Sequence, residues 1–280
     1  MDGFISKIQR YSTKDGPGLR STVFAVGCPL NCKWCANPEL IGEGAKILHH
    51  SERCVQCGAC AQIWAREERA AACFYDAYER VGMRISAGEL TEKLLRDKVF
   101  YEQSGGGVTY SGGEAGLQAA FFLEVTKGLK AEGVHVALDT SGYLSWDDLR
   151  PLMEAVDLVL YDIKALDSGI HRQYTGVDNQ LILENARRIA GMGKEMIVRL
   201  ILVPGVNDSE AEIGGRLKFV RELGQDIRVD ILKYHRLGGG KYASLGIPEP
   251  MGDTSECSDA IAEDAAKLGV DMGLTVTIGG

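Results

Sequence analysis

The sequence has no block of lysine and arginine, and its formal net charge is −8. Sequence-independent binding to nucleic acid, which needs several cationic phosphate contacts, is therefore not expected. No uninterrupted apolar run is long enough to cross a bilayer. The first residues, MDGFISKIQRYSTKDG, lack an apolar stretch behind a positive start, so they do not read as a signal peptide. A soluble, cytoplasmic protein is expected. There is no fixed-period repeat and no low-complexity segment, which excludes a repeat array.

What is present is a chain of 280 residues, 45% of them hydrophobic, enough to bury a large core. That length suits one α/β barrel-type domain with an insertion, or two ordinary domains. Seven of the eight cysteines fall between Cys28 and Cys73. In a cytoplasmic chain full of long apolar-periodic segments, metal-bound thiolates are the better reading than disulfides. Cys257 stands apart and reads as an ordinary thiol at an exposed helix start.

The stretch 27–39, GCPLNCKWCANPE, places Cys28, Cys32 and Cys35 in a C-x3-C-x2-C spacing directly after an apolar run. Soft thiolates so close together point to zinc or to an iron–sulfur cluster. Structural zinc wants four protein ligands, and no fourth Cys or His lies nearby. A four-iron cluster on three cysteines would leave one iron open to a small molecule; zinc would have to borrow a distant ligand.

Residues 44–85 interrupt the surrounding pattern. Cys54, Cys57 and Cys60 form a C-x2-C-x2-C run like that of bacterial ferredoxins, but the position of the fourth cysteine holds Trp64. Cys73, in ACFYDAY, resembles the end of the second ferredoxin half. In two-cluster ferredoxins the last cysteine of one motif ligates the cluster of the other. By that pattern Cys54, Cys57, Cys60 and Cys73 make one complete set, for an auxiliary four-iron cluster that also staples the insertion. Zinc on four cysteines is the alternative, although the run is cramped for tetrahedral geometry.

The remainder alternates. Residues 19–26, 108–111, His135–Thr140, 158–164, 195–203 and 226–234 read as core strands, with Thr275–Ile278 as an edge addition. A helix opens at Ser86 with Glu89 three residues on, and others are expected at 145–154, around His171, and at 179–191, 209–223 and 255–267. Such alternation implies right-handed parallel units, and six strands are too few for a closed eight-fold barrel. The segment 104–114, SGGGVTYSGGE, has no Gly-Lys-Ser/Thr and the wrong spacing for a dinucleotide fingerprint. Gly112, Gly113 and Glu114 instead suit an ammonium group, through exposed carbonyls and one carboxylate. Asp15-Gly16-Pro17-Gly18 forms a tight turn whose small residues admit another backbone.

Taken together, DGPGLRSTVF (15–24), GCPLNCKWCANPE (27–39), SGGGVTYSGGE (104–114), LDTSG (138–142), LYDIKALDSGIHRQYTG (160–176) and KYHRLGGGKY (233–242) resemble the radical S-adenosylmethionine (SAM) enzymes that activate glycyl radical enzymes, the pyruvate formate-lyase activator group. The resemblance implies a partial (β/α)6 barrel over 1–43 and 86–280, with a ferredoxin-like insertion over 44–85. It implies two [4Fe-4S] clusters, one on Cys28, Cys32 and Cys35 with SAM on its open iron. The backbone around Trp34, Ala36 and Asn37 would line the adenine side. Gly112, Gly113 and Glu114 would face the methionyl amine, and Asp162, Ile163, Lys164, Arg199 and His235 would complete the pocket. Asp139, Thr140, Asp162 and the backbone of Leu160 resemble a monovalent-cation site that would offset the buried carboxylates. The implied reaction is reductive cleavage of SAM to a 5′-deoxyadenosyl radical, which abstracts hydrogen from a glycine Cα of a partner enzyme. The partner's loop would enter at Asp15, Gly16, Pro17 and Gly18, and flavodoxin or ferredoxin would donate the electron. Two other functions fit parts of the chain: a small-molecule enzyme like the 7-carboxy-7-deazaguanine synthases, and a non-catalytic iron–sulfur electron carrier.

Overall fold

Apolar strands followed by capped helices set the architecture. The structure, a computed structural model, describes residues 1–224 and 226–279. Its strands are β1 (Asp2–Ser12), β2 (Arg20–Ala25), β3 (Lys46–His49), β4 (Tyr78–Val81), β5 (Met83–Ser86), β6 (Gly107–Gly112), β7 (His135–Thr140), β8 (Leu158–Asp162), β9 (Glu195–Leu202), β10 (Arg228–Lys233) and β11 (Thr275–Ile278). Nine of them form one sheet in the order β11-β10-β9-β8-β7-β6-β2-β1-β5. From β2 and β6 through β11 all neighbours are parallel. Each helix starts where the preceding strand needs a way back. Ser86, Ser145, Asp167, Ser209 and Ser258 each accept the backbone N–H three residues on, satisfying a donor that the helix itself leaves unpaired.

The strand order from β6 to β11 never reverses, so right-handed crossovers place the intervening helices on one face. Along β7, β8 and β9 alternate residues turn to that face: Val136 and Leu138, Val159 and Tyr161, Val198 and Leu200 are all buried in the main core. Their neighbours point the other way, and there Ala137, Leu158, Leu160 and Ile197 form a second buried cluster. Burial on the helix-free face means that the sheet curls around its own side chains. This is the partial barrel expected from the sequence, with six parallel core strands and β11 at the edge.

Four strands were not foreseen. β1 pairs antiparallel with β2 and with β5, extending the sheet beyond the parallel set. β3 and β4 pair with each other inside the insertion. The helix expected from Ser86 is two, Ala87–Leu95 and Lys98–Ser104. Between them the buried Asp97 accepts from Ser21 Oγ (3.0 Å) and pairs with Arg10 (3.0 Å), which ties the break to β1 and β2. Cys257 is buried rather than exposed: its N–H donates to the carbonyl of Tyr234 (3.1 Å), and its side chain packs into the main core. The insertion holds the short helix Arg66–Ala72 and leaves Trp64 and Phe74 almost fully exposed.

Candidate functional site

The three-cysteine loop leaves the C-terminal end of β2 and is pinned on three sides. Asn31 N and Lys33 N donate to the carbonyls of Thr175 and Tyr174 (2.8 and 2.9 Å), Cys35 N donates to Cys32 O (3.0 Å), and Gly42 N closes back on Cys28 O (3.2 Å). Glu114 N donates to Gly27 O (2.7 Å), which docks the end of β6 against the start of the loop. At that contact a side chain is impossible: a Cβ on Gly113 would lie 2.1 Å from Gly27 O.

Cys28, Cys32 and Cys35 share one cavity of about 260 Å³ with residues from five other strand ends. Trp34, Ala36 and Asn37 line it from the loop; Gly112 and Gly113 from β6; Asp139 and Thr140 from β7; Asp162 and Lys164 from β8; Arg199 from β9. Ser111, Ser141, Ile201 and Leu232 line it too and were not singled out in the sequence. Strand parity would have found most of them, since Ser111 lies two residues before Gly113, and Ile201 two residues after Arg199.

Arg199 is the hub of the floor. Its Nε donates to Asp162 Oδ1 (2.8 Å) and its Nη2 to Asp139 Oδ1, while Lys164 Nζ reaches Asp162 Oδ2 (3.0 Å). Burial alone would push Asp162 up, but Arg199 and Lys164 outweigh it and hold the carboxyl at about 2. Asp139 shares the same guanidinium, has Asp162 as a like-charged neighbour, and is raised chiefly by burial. Burial works against the charge of Lys164, but Asp162 and Cys32 more than restore it, so the ammonium stays protonated.

Glu114 is placed differently from expectation. It does not line the cavity: its Oε1 accepts from Thr140 Oγ1 (2.7 Å) and Gly116 N (3.2 Å), and its Oε2 accepts from Ser141 N (2.9 Å) and Ser141 Oγ (2.7 Å). The carboxylate is spent on tying β6 to β7, so only the backbone of Gly112 and Gly113 faces the space. Ile163 is buried in the core and Leu160 lies a layer below, among Ala137, Leu158 and Ile197. His235 is exposed, with Glu256 3.8 Å from its Nδ1, and is not part of the lining.

Asp15–Gly18 sits at the N-terminal ends of the strands, the length of β2 away from the cysteine loop, roughly 20 Å. Asp15 accepts from Ser12 and from Thr22 Oγ1 (2.6 Å), and the buried Arg20 donates to Pro17 O (3.1 Å). The backbone admitted at Gly18 is that of Gly106 in the same chain.

In the insertion, Cys54, Cys57, Cys60 and Cys73 line a single small pocket of about 50 Å³. Among the described residues, no three His, Cys, Asp or Glu side chains are arranged to hold one metal ion. The first set fits a cluster on electrostatic grounds. Burial pushes the free thiols of Cys28 and Cys32 up to about 12, so thiolates there require positive charge at the sulfur, as bound iron supplies.

Comparison with known proteins agrees. A sequence model described as the Radical SAM superfamily matches residues 22–214. The isethionate sulfite-lyase activating enzyme of Nitratidesulfovibrio vulgaris is 37% identical, covering 90% of this chain and 91% of its own. The pyruvate formate-lyase 2-activating enzyme of Escherichia coli is 35% identical over 99% and 92%. The crystal structure of a domain of pyruvate-formate lyase-activating enzyme from Bacteroides vulgatus superposes with a TM-score of 0.54 at 30% identity, covering 62% of this chain and 99% of that one. The chain belongs to the radical SAM superfamily and, within it, to the activating enzymes of glycyl radical enzymes. Membership brings SAM and a [4Fe-4S] cluster as cofactors.

Proposed function

We propose that this protein activates a glycyl radical enzyme, and that Cys28, Cys32 and Cys35 hold the catalytic [4Fe-4S] cluster beside SAM. The observation that carries the assignment is convergence: the cysteine loop, Gly112-Gly113, Asp162, Lys164 and Arg199 come from separate strand ends and line one cavity. When bound, the cluster and SAM supply a 5′-deoxyadenosyl radical that takes a hydrogen from a glycine Cα of the partner. The protein's own residues bind and orient. The carbonyls of Gly112 and Gly113 accept from the methionyl amine, a donor-only group when protonated. Lys164 and Arg199 present positive charge to the cofactor carboxylate. The flat side chain of Trp34, with Ala36 and Asn37, would border the adenine. Asp15–Gly18, where Pro17 is exposed, rims the opposite mouth of the barrel and would meet the partner's loop there.

Cys54, Cys57, Cys60 and Cys73 hold the auxiliary cluster in this reading, supported by their shared pocket. Flavodoxin or ferredoxin is the electron donor and the cytoplasm the compartment; no helix among the described residues is long and apolar enough to cross a membrane. The resemblance also implies a monovalent cation at Asp139, Thr140, Asp162 and the Leu160 carbonyl. Arg199 and Lys164 already meet both carboxylates, so the cation is left out here.

Anaerobic reconstitution tests the proposal. About eight irons per chain are expected from two four-iron clusters, together with 5′-deoxyadenosine and methionine on reduction and a glycyl radical signal once a cognate partner is added. No SAM cleavage under a competent reductant would sink the assignment.

A further inference from the structure

The segment after β10 presses on the cysteine loop at one lysine. Lys241, on the short helix Gly239–Leu245, donates from Nζ to Asn37 Oδ1 (2.6 Å) and to Glu39 Oε1 (2.6 Å), clasping the loop on either side of Pro38. Just before that helix, Gly238 packs so closely that a Cβ there would stand 2.7 Å from Cys35 O. Glu39 is buried, and its second oxygen has no partner among the described residues, so Lys241 is what balances this carboxylate. The loop's own bonds here are few: Asn37 N to Cys35 Sγ (3.3 Å) and Leu40 N to Asn37 O (3.0 Å).

We infer that Lys241 is a positioning residue for SAM, acting through Asn37. An ammonium only donates, so its partner on Asn37 must be the amide oxygen. With Oδ1 committed to the lysine, Asn37 can offer only its NH2 to the cavity that it lines. The side chain is thereby set as a donor toward an acceptor on the cofactor, such as a purine ring nitrogen. Without the lysine the amide can rotate and present oxygen instead, and the uncompensated Glu39 pulls the loop toward solvent. This inference rests on the reading that the cavity takes SAM.

The test uses the reconstituted holoenzyme. Lys241→Met should weaken SAM binding roughly tenfold, the worth of a hydrogen bond lost at a buried site, read from the change in the reduced cluster's EPR spectrum as SAM is added. KM for SAM should rise by a similar factor, with iron content unchanged and kcat within about twofold. Lys241→Arg should restore most of the affinity. Asn37→Ala should show a similar loss, and the double variant should be no worse than Lys241→Met alone, because the lysine's effect on SAM passes through the amide that it orients. Unchanged affinity in Lys241→Met, or full additivity with Asn37→Ala, overturns the role. Should Lys241→Met fail to fold, Asn37→Asp keeps the lysine contact but removes the NH2, and wild-type affinity in that variant overturns it equally. Failure of the wild-type protein to cleave SAM would instead remove the parent reading, so the two failures are distinct.

Discussion

Glu114→Gln separates an anchor from a ligand. The wild-type carboxylate is buried and takes four contacts, all from donors: Thr140 Oγ1 and Gly116 N on one oxygen, Ser141 N and Ser141 Oγ on the other. Glutamine has the same shape but only one oxygen, so its NH2 must face a fixed N–H, that of Gly116 or that of Ser141, while the hydroxyl beside it can turn to accept. One hydrogen bond to a charged acceptor, worth about 1.5–3 kcal/mol, is lost outright with a donor left facing a donor, and the others lose their charge assistance, while relief of a buried charge returns part of that. A net loss of about 2 kcal/mol follows, which lowers the melting temperature of a chain this size by roughly 3–4 °C. The assay is anaerobic thermal unfolding of the reconstituted protein without SAM, paired with a SAM titration. The anchor predicts this thermal shift and an affinity loss of less than about tenfold, since Gly112 and Gly113 keep their carbonyls. An unchanged melting temperature with an affinity loss of roughly a hundredfold would refute this and show that the carboxylate touches the methionyl amine.

The same residue sets a pH signature. Burial raises the folded-state pKa of Glu114 above its ordinary 4.5, so its contribution to stability is full below that value and is lost as pH rises through the raised one. Glu114→Gln should flatten that slope in a pH series of unfolding midpoints. Arg199→Met leaves Asp139 and Asp162 with only Lys164 between them, and should cost about 3–5 kcal/mol. Arg150→Met, which breaks only an exposed pair with Glu154 (3.4 Å), should cost about 0.5 kcal/mol or less in the same melts, and equal costs would contradict the network. Gly113→Ala should abolish SAM cleavage, because the added carbon meets backbone at Gly27 that has no rotamer with which to yield; full activity would show that β6 and the loop are not in contact.

The parallel strands were legible because buried strands with β-branched residues alternate with helices whose caps are written locally, as at Ser145 and Ser209. The cavity was legible wherever a motif put a polar residue at a strand end, as with Asp162 and Arg199. β1 was not: Phe4, Ile5 and Ile8 lie among charged and polar residues, and only pairing with β2 and with β5 (Met83–Ser86), far down the chain, gives them a place. Glu114 was misread for a related reason. Its residue type announced a carboxylate, but its orientation depends on Thr140 and Ser141, which meet it only after β6 and β7 pair. Lys241 was hidden in the same way, since its partners are more than 200 residues earlier.

Charge balance within the chain does not require the monovalent cation that the resemblance implies. The resemblance gave it two roles, to offset two buried aspartates and to orient the cofactor carboxylate. In the folded chain Asp162 has Arg199 on one oxygen and Lys164 on the other, and Asp139 has Arg199 on one and Ser111 Oγ (2.6 Å) on the other. The Thr140 hydroxyl is likewise committed, donating to Glu114 and accepting from Gly142 N (2.9 Å). Two carboxylates and two cations balance before the cofactor arrives, so the chain by itself does not demand a further cation. SAM affinity should therefore stay within about twofold when potassium and sodium are replaced by tetramethylammonium at fixed ionic strength, because screening alone is then held constant. A steep dependence selective for one small cation would show that the Arg199 network opens when the cofactor binds.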